Sequence, residues 1–208
     1  MQTPEDKIKE CYRVLGKAGS NIVWEILRQS DKFYQWDHYP KGDVYDSETH
    51  CQYYYHAHNP EASDRLPEHG HFHIFIRKPG IPKKIKAATL PTAWQVPDNT
   101  QELCHLIAIA MDDKGFPIRL FTVNRWVTAE SWYHAKDVIK LLDLFAIDHT
   151  WPSWPTNIWL TEMVKIHKLT IIELIKKRDK ALKAWQKKYP NVNPYEDRNL
   201  EILSCRNL

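Results

Sequence analysis

An α+β fold is predicted: a mostly antiparallel sheet of at least four strands, with N-terminal helices and a long C-terminal helix packed on it. Three observations carry this. Residues 51 to 58 and 69 to 77 alternate in character, the stretch from 103 to 126 is split by a turn of hairpin composition, and apolar residues recur at helical spacing near both ends. Alternation with period two marks a strand with two different faces, whereas recurrence every three to four residues marks one face of a helix.

The elements follow in chain order. Thr3-Pro4-Glu5-Asp6 has the capping side chain, early proline and early acids of a helix start, and a helix is expected to about Lys17. Gly19-Ser20 restarts a second helix through Ile22, Val23, Ile26 and Leu27. Residues 37 to 50, broken by proline and glycine, read as an ordered loop. Residues 51 to 58 and 69 to 77 are the arms of a hairpin. Pro79 to Thr100, with the basic run Lys83-Lys84-Ile85-Lys86, is a long excursion expected to act as a lid. Leu103 to Met111 and Ile118 to Trp126 form a second hairpin across Asp112-Asp113-Lys114-Gly115. Thr128-Ala129-Glu130 opens a helix through Val138, Leu141, Leu142 and Phe145, and one helix is expected from about Thr156 to Lys188.

The 208 residues, without internal repeat or linker, suit a single domain over 1–208 with one continuous core. A net charge of +3 gives no reason to expect nucleic acid as a partner. The basic run from Lys176 to Lys188 is diluted by acids and reads as a solvated helix face. Its longest strongly apolar stretch, Leu106 to Met111, is far shorter than a transmembrane span. Cys11, Cys51, Cys104 and Cys205 lack paired spacing and are expected to be buried thiols; without a basic start followed by an apolar stretch, a cytoplasmic location is expected.

The most informative pattern is a pair of histidine runs, His56-Ala57-His58 and His69-Gly70-His71-Phe72-His73. Side chains two apart on a strand point the same way, so each run can aim its imidazoles at one place. The simplest hairpin sets His58 opposite His69 and His56 opposite His71, giving a face of five histidines. The same register must leave the other face apolar if it covers a core. It does: Cys51, Tyr53, Tyr55 and Ala57 meet Phe72, Ile74 and Ile76, while Gln52, Tyr54 and Arg77 join the histidine side.

Neutral imidazole is the commonest protein ligand for transition metals, and facing strands begin only about 5 Å apart. The expected ligands of one divalent transition metal (iron, zinc, copper, nickel or manganese) are His56, His58, His71 and His73, with His69 as a fifth ligand, a supporting group or a proton carrier. Glu68, beside the cluster, is a candidate for a histidine and carboxylate site of the kind ferrous enzymes use, and Asp43, Asp46 and Glu48 lie on the preceding loop. Tyr54 is a candidate support behind the ligands. Arg125 is a candidate for holding an anionic substrate, although a structural ion pair is the plainer role. Small Ala108 and Ala110 leave room for a ligand if they share the histidine face. The remaining histidines, His38, His50, His105, His134, His149 and His167, are scattered and expected to be structural.

The leading functional expectation is a transition-metal-dependent enzyme, of non-haem oxygenase or hydrolase type, acting on a small molecule near the histidine face. A metal carrier or sensor without catalysis is the rival from another class. A third arises because His69 to Phe75 follows the spacing of the histidine triad proteins. That resemblance implies a nucleotide hydrolase or transferase with His71 as nucleophile.

Longer strings, Tyr39-Pro40-Lys41-Gly42-Asp43-Val44-Tyr45-Asp46, Tyr53-Tyr54-Tyr55-His56-Ala57-His58, Glu68 to His73, Phe121 to Thr128 and Pro152-Ser153-Trp154-Pro155, carry a second resemblance. On these the chain resembles a family of bacterial proteins catalogued only as a domain of unknown function. That resemblance implies no activity.

Overall fold

A computed structural model of the chain describes residues 2–57, 68–90 and 100–208. Helix α1 (Pro4–Lys17) begins as expected: the Thr3 hydroxyl accepts from the Asp6 N–H and the Asp6 carboxylate accepts from the Thr3 N–H, each at 3.1 Å. Asn21 caps α2 (Ile22–Leu27) by accepting from Trp24 N–H at 2.8 Å.

Six strands follow: β1 (Tyr39–Tyr45), β2 (Cys51–His56), β3 (Gly70–Arg77), β4 (Leu103–Met111), β5 (Pro117–Val123) and β6 (Ile202–Asn207). They form one sheet in chain order, every neighbouring pair antiparallel. Between β5 and β6 lie α3 (Arg125–Thr128), α4 (Ala135–Leu141), α5 (Trp154–Ile166) and α6 (Lys168–Lys188).

One face of the sheet is the core. Tyr53, Tyr55, Phe72, Ile74, Ile76, Ile107 and Ile109 pack there against Leu15 of α1, Ile26 of α2, Leu141 of α4, Trp159 and Leu160 of α5 and Leu174 of α6. Burial of so many aliphatic and aromatic side chains, each worth about 1.5–3 kcal/mol, fixes which face of the sheet points inward. The helices cover that face, and the alternation then leaves Tyr54, His56, His71, His73 and Phe75 on the other.

Several expectations need correction. The segment 37–50 contains β1, because its turn residues sit at the ends and at a break in pairing rather than throughout: Tyr39 pairs with Tyr55 and Val44 with Tyr53, with an irregularity between them. The fourth expected strand stops at Val123, because Asn124 turns the chain and accepts from Arg125 N–H at 2.8 Å to cap α3. Thr128–Glu130 closes that short helix rather than opening the next; Ala129 is left-handed at φ 52°. The single helix expected over Thr156–Lys188 is two, parted at His167 (φ −95°, ψ 10°). α5 packs along α1, whereas α6 packs on β5 and β6, so the chain changes course between them.

Strand β6, paired with β5, was not foreseen. Cys11, Cys51 and Cys104 are buried but Cys205 is exposed, because β6 edges the sheet; all four are free thiols. In the excursion from Pro79, Ile81 and Ile85 join the main core, and residues 91–99 lie outside the described residues. Among the described residues, no helix is long and apolar enough to cross a membrane.

Candidate metal centre

The hairpin register is the expected one. His56 pairs with His71, Tyr54 with His73, Tyr53 with Ile74 and Cys51 with Ile76. Across the next ladder His71 faces Ala110 and His73 faces Ala108, so the two small side chains do lie on the histidine side. Gly70 lets the two arms close: a Cβ there would sit 2.6 Å from the carbonyl oxygen of His56 and 2.5 Å from Tyr55 Oη.

His56, His71 and His73 converge. Their ring centroids are 4.5, 5.2 and 4.8 Å apart, the planes nearly perpendicular. One nitrogen from each lies within 4.8 Å of the other two, so the three could hold a metal ion. Ligands about 2.1 Å from one tetrahedral ion sit about 3.4 Å from each other, inside that limit. The three residues are 7%, 1% and 0% exposed.

Two of the three are oriented by outer partners. Glu68 Oε1 meets His71 Nδ1 at 2.5 Å, and the same carboxylate is paired with Arg119. His105 Nε2 meets His73 Nδ1 at 3.1 Å, leaving the buried His73 Nε2 without a hydrogen-bond partner among the described residues. Each outer bond fixes a ring and decides which nitrogen faces the cluster.

The electrostatics keep the His73 ring and the His105 ring behind it neutral. Burial pushes His73 well below its ordinary range, and the neighbouring His71, His105 and His56 add to the effect. Burial and then the Arg178 charge bring His105 down to about 3. Tyr54 flanks the cluster, 5.1 Å from His73 and 5.5 Å from His56. Phe121, 5.2 Å from His71, walls the other side.

Among the described residues, the other expected ligands and substrate-holding groups are not part of the triad. His58 is outside the described residues. His69 does not join the cluster: it precedes the first residue of β3, so strand parity does not bind it, and its Nδ1 meets Tyr55 Oη at 2.7 Å while Phe33 stacks on its ring at 5.6 Å. Glu68 is held by His71 and Arg119, behind the three clustered rings rather than among them. Arg125 takes the structural role: it pairs with Glu196 and donates to Thr100 Oγ1 at 3.0 Å and to the Glu130 carbonyl at 3.1 Å. Asp46 also serves the fold, accepting from the backbone N–H groups of Glu48, Thr49 and Asp148.

Three contributors escaped sequence reasoning. Arg119 was legible, since Ala110 pairs with it and the hairpin alternation puts both beside His71. His105 was not, because a shift between Ile74 and Phe75 carries the pairing from Ile107 to His105 and reverses parity at Leu106. His38 comes from outside the hairpin and lays its ring on Tyr54 at 3.6 Å.

A family model described as a domain of unknown function, DUF6969, matches residues 2–208. The chain belongs to the DUF6969 family. No curated protein and no solved structure matches it. The chemistry of this DUF6969 chain therefore has to be argued from its own side chains.

Proposed function

We propose that this DUF6969 protein is a transition-metal-dependent enzyme in which His56, His71 and His73 hold one divalent ion and a further coordination position serves a small-molecule substrate. The observation that carries this is the convergence of three buried imidazoles, one of them with an Nε2 that has no partner among the described residues. A buried polar atom without a partner costs about 1–3 kcal/mol, and three adjacent rings repel once protonated; an ion answers both costs. The carboxylate behind His71 supports the reading, because outer bonds of this type raise ligand basicity.

Imidazole donors suit iron, zinc, copper and nickel, and manganese less well. Among the described residues no carboxylate joins the ligating group, which departs from the two-histidine, one-carboxylate set of ferrous oxygenases. Three neutral imidazoles leave the ion's full charge to polarise a bound water, so we favour hydrolytic chemistry over oxygenation. His58, two residues beyond His56, remains our candidate fourth donor. The Glu68 carboxylate that orients His71 serves a metal ligand equally well, and His71 shares its place with two other buried imidazoles, so the phosphate-transfer alternative is not adopted. Four free thiols fit the cytoplasmic location we assign.

Cobalt substitution tests the open position. The visible bands of the Co²⁺-loaded protein are expected to shift on addition of azide. Bands indifferent to azide would mean a closed cage, and the carrier or structural alternative would replace the enzyme.

A further inference from the structure

The three ligating histidines are buried, yet His38, 5.8 Å from His56 between ring centroids, presents 43% of its side chain to solvent. Its ring lies flat on Tyr54, 9° from parallel, and its Nδ1 meets Asp43 Oδ1 at 3.0 Å. Asp43 is itself held, since Gln52 Nε2 donates to its Oδ2 at 2.6 Å and Arg77 Nε donates to Gln52 Oε1 at 2.5 Å. His38 is therefore a positioned ring and not a loose surface side chain.

On its outer side His38 walls a pocket of about 630 Å³, together with Ser30, Tyr34, Asp37, Lys41 and Asp43. The segment that forms this wall is tied to the histidine hairpin. Trp36 N–H donates to the Ala57 carbonyl at 3.0 Å, and Phe33 stacks on His69. One imidazole thus has the pocket on one side and the edge of the metal-binding cluster on the other.

We propose that this pocket is the route by which the ion, and a small hydrophilic substrate, reach the centre, with His38 closing its inner end. The proposal rests on the metal-centre reading above. The pocket has the volume of a site for one small molecule. Its lining mixes carboxylates (Asp31, Asp37, Asp43) with ammonium groups (Lys32, Lys41), which suits a compact polar solute with hydrogen-bonding groups better than an apolar one or a polyanion.

The test is the rate of Co²⁺ uptake by ion-free protein, followed by visible absorption, with final stoichiometry measured on the same samples. His38→Ala opens the inner end and is expected to speed uptake roughly tenfold, and Ser30→Trp fills the pocket and is expected to slow it roughly tenfold, as gating residues do. Both variants should still bind as much Co²⁺ as the unaltered chain. Unchanged rates in both variants at full stoichiometry would overturn the route while leaving the centre intact. Failure of the unaltered chain to take up any Co²⁺ would remove the centre and the route together.

Discussion

Glu68 and His105 do the same work from opposite sides of the cluster: each occupies one nitrogen of a clustered ring and leaves the other facing inward. Glu68→Gln keeps the shape but removes the carboxylate charge, so metal affinity is expected to fall about 10- to 100-fold with the fold intact, by competition titration. Unchanged affinity would mean that the Glu68 to His71 bond is incidental. Two buried groups beside the cluster also give the ion-free protein a pH dependence of calculable sign. His105, with its pKa at about 3, stays neutral while the unfolded chain takes up a proton near its ordinary 6.5, so stability falls as pH drops between those values. Glu130, which accepts from the His105 N–H at 2.6 Å, is pushed by burial up to about 7 from an ordinary 4.5. Over that window the folded chain holds the extra proton, so its contribution falls as pH rises. Each group is worth on the order of 1 kcal/mol per pH unit, and the two oppose. Glu130→Gln should make stability rise more steeply with pH between 4.5 and 6.5 than in the unaltered chain. Urea unfolding in the presence of chelator checks this, and equal slopes would contradict it.

At the scale of elements, the site depends on two strands meeting in one register and on a third breaking its own. The β2 and β3 pairing sets His56 against His71, and Gly70 makes the close approach possible. Gly70→Ala would place a methyl group against the His56 carbonyl, and is expected to cost about 1–3 kcal/mol in urea unfolding. A neutral effect would show that the arms part easily there. The hairpin was legible because alternation on both arms has only one solution that buries the tyrosines and isoleucines. His105 was illegible because its inward turn depends on a shift in pairing that no residue type announces. Strand β1 was hidden for a related reason: Pro40, Gly42 and Asp43 read as loop residues, yet the irregular pairing with β2 accommodates them. The parting of α5 from α6 at His167 follows from what each helix packs against, which local periodicity does not record.

At the scale of the whole molecule, helices cover one face of a six-stranded antiparallel sheet and the histidine cluster lies on the other, so the core and the site are decided by the same alternation. A ligand that binds only the folded chain stabilises it by mass action, about 2.7 kcal/mol at a free concentration one hundred times its dissociation constant. Thermal unfolding in excess Zn²⁺ should therefore occur well above that in chelator, and His73→Ala should abolish the difference. A shift that persists in that variant would place the ion elsewhere. The most direct measurement is elemental analysis of the protein purified without a histidine tag, beside His71→Ala and His73→Ala. We expect about one equivalent of a transition metal in the unaltered chain, lost from both variants while their circular dichroism is kept. No metal in the unaltered chain, even after anaerobic reconstitution with iron, zinc, copper, nickel and manganese, or equal metal in all three proteins, would contradict the account.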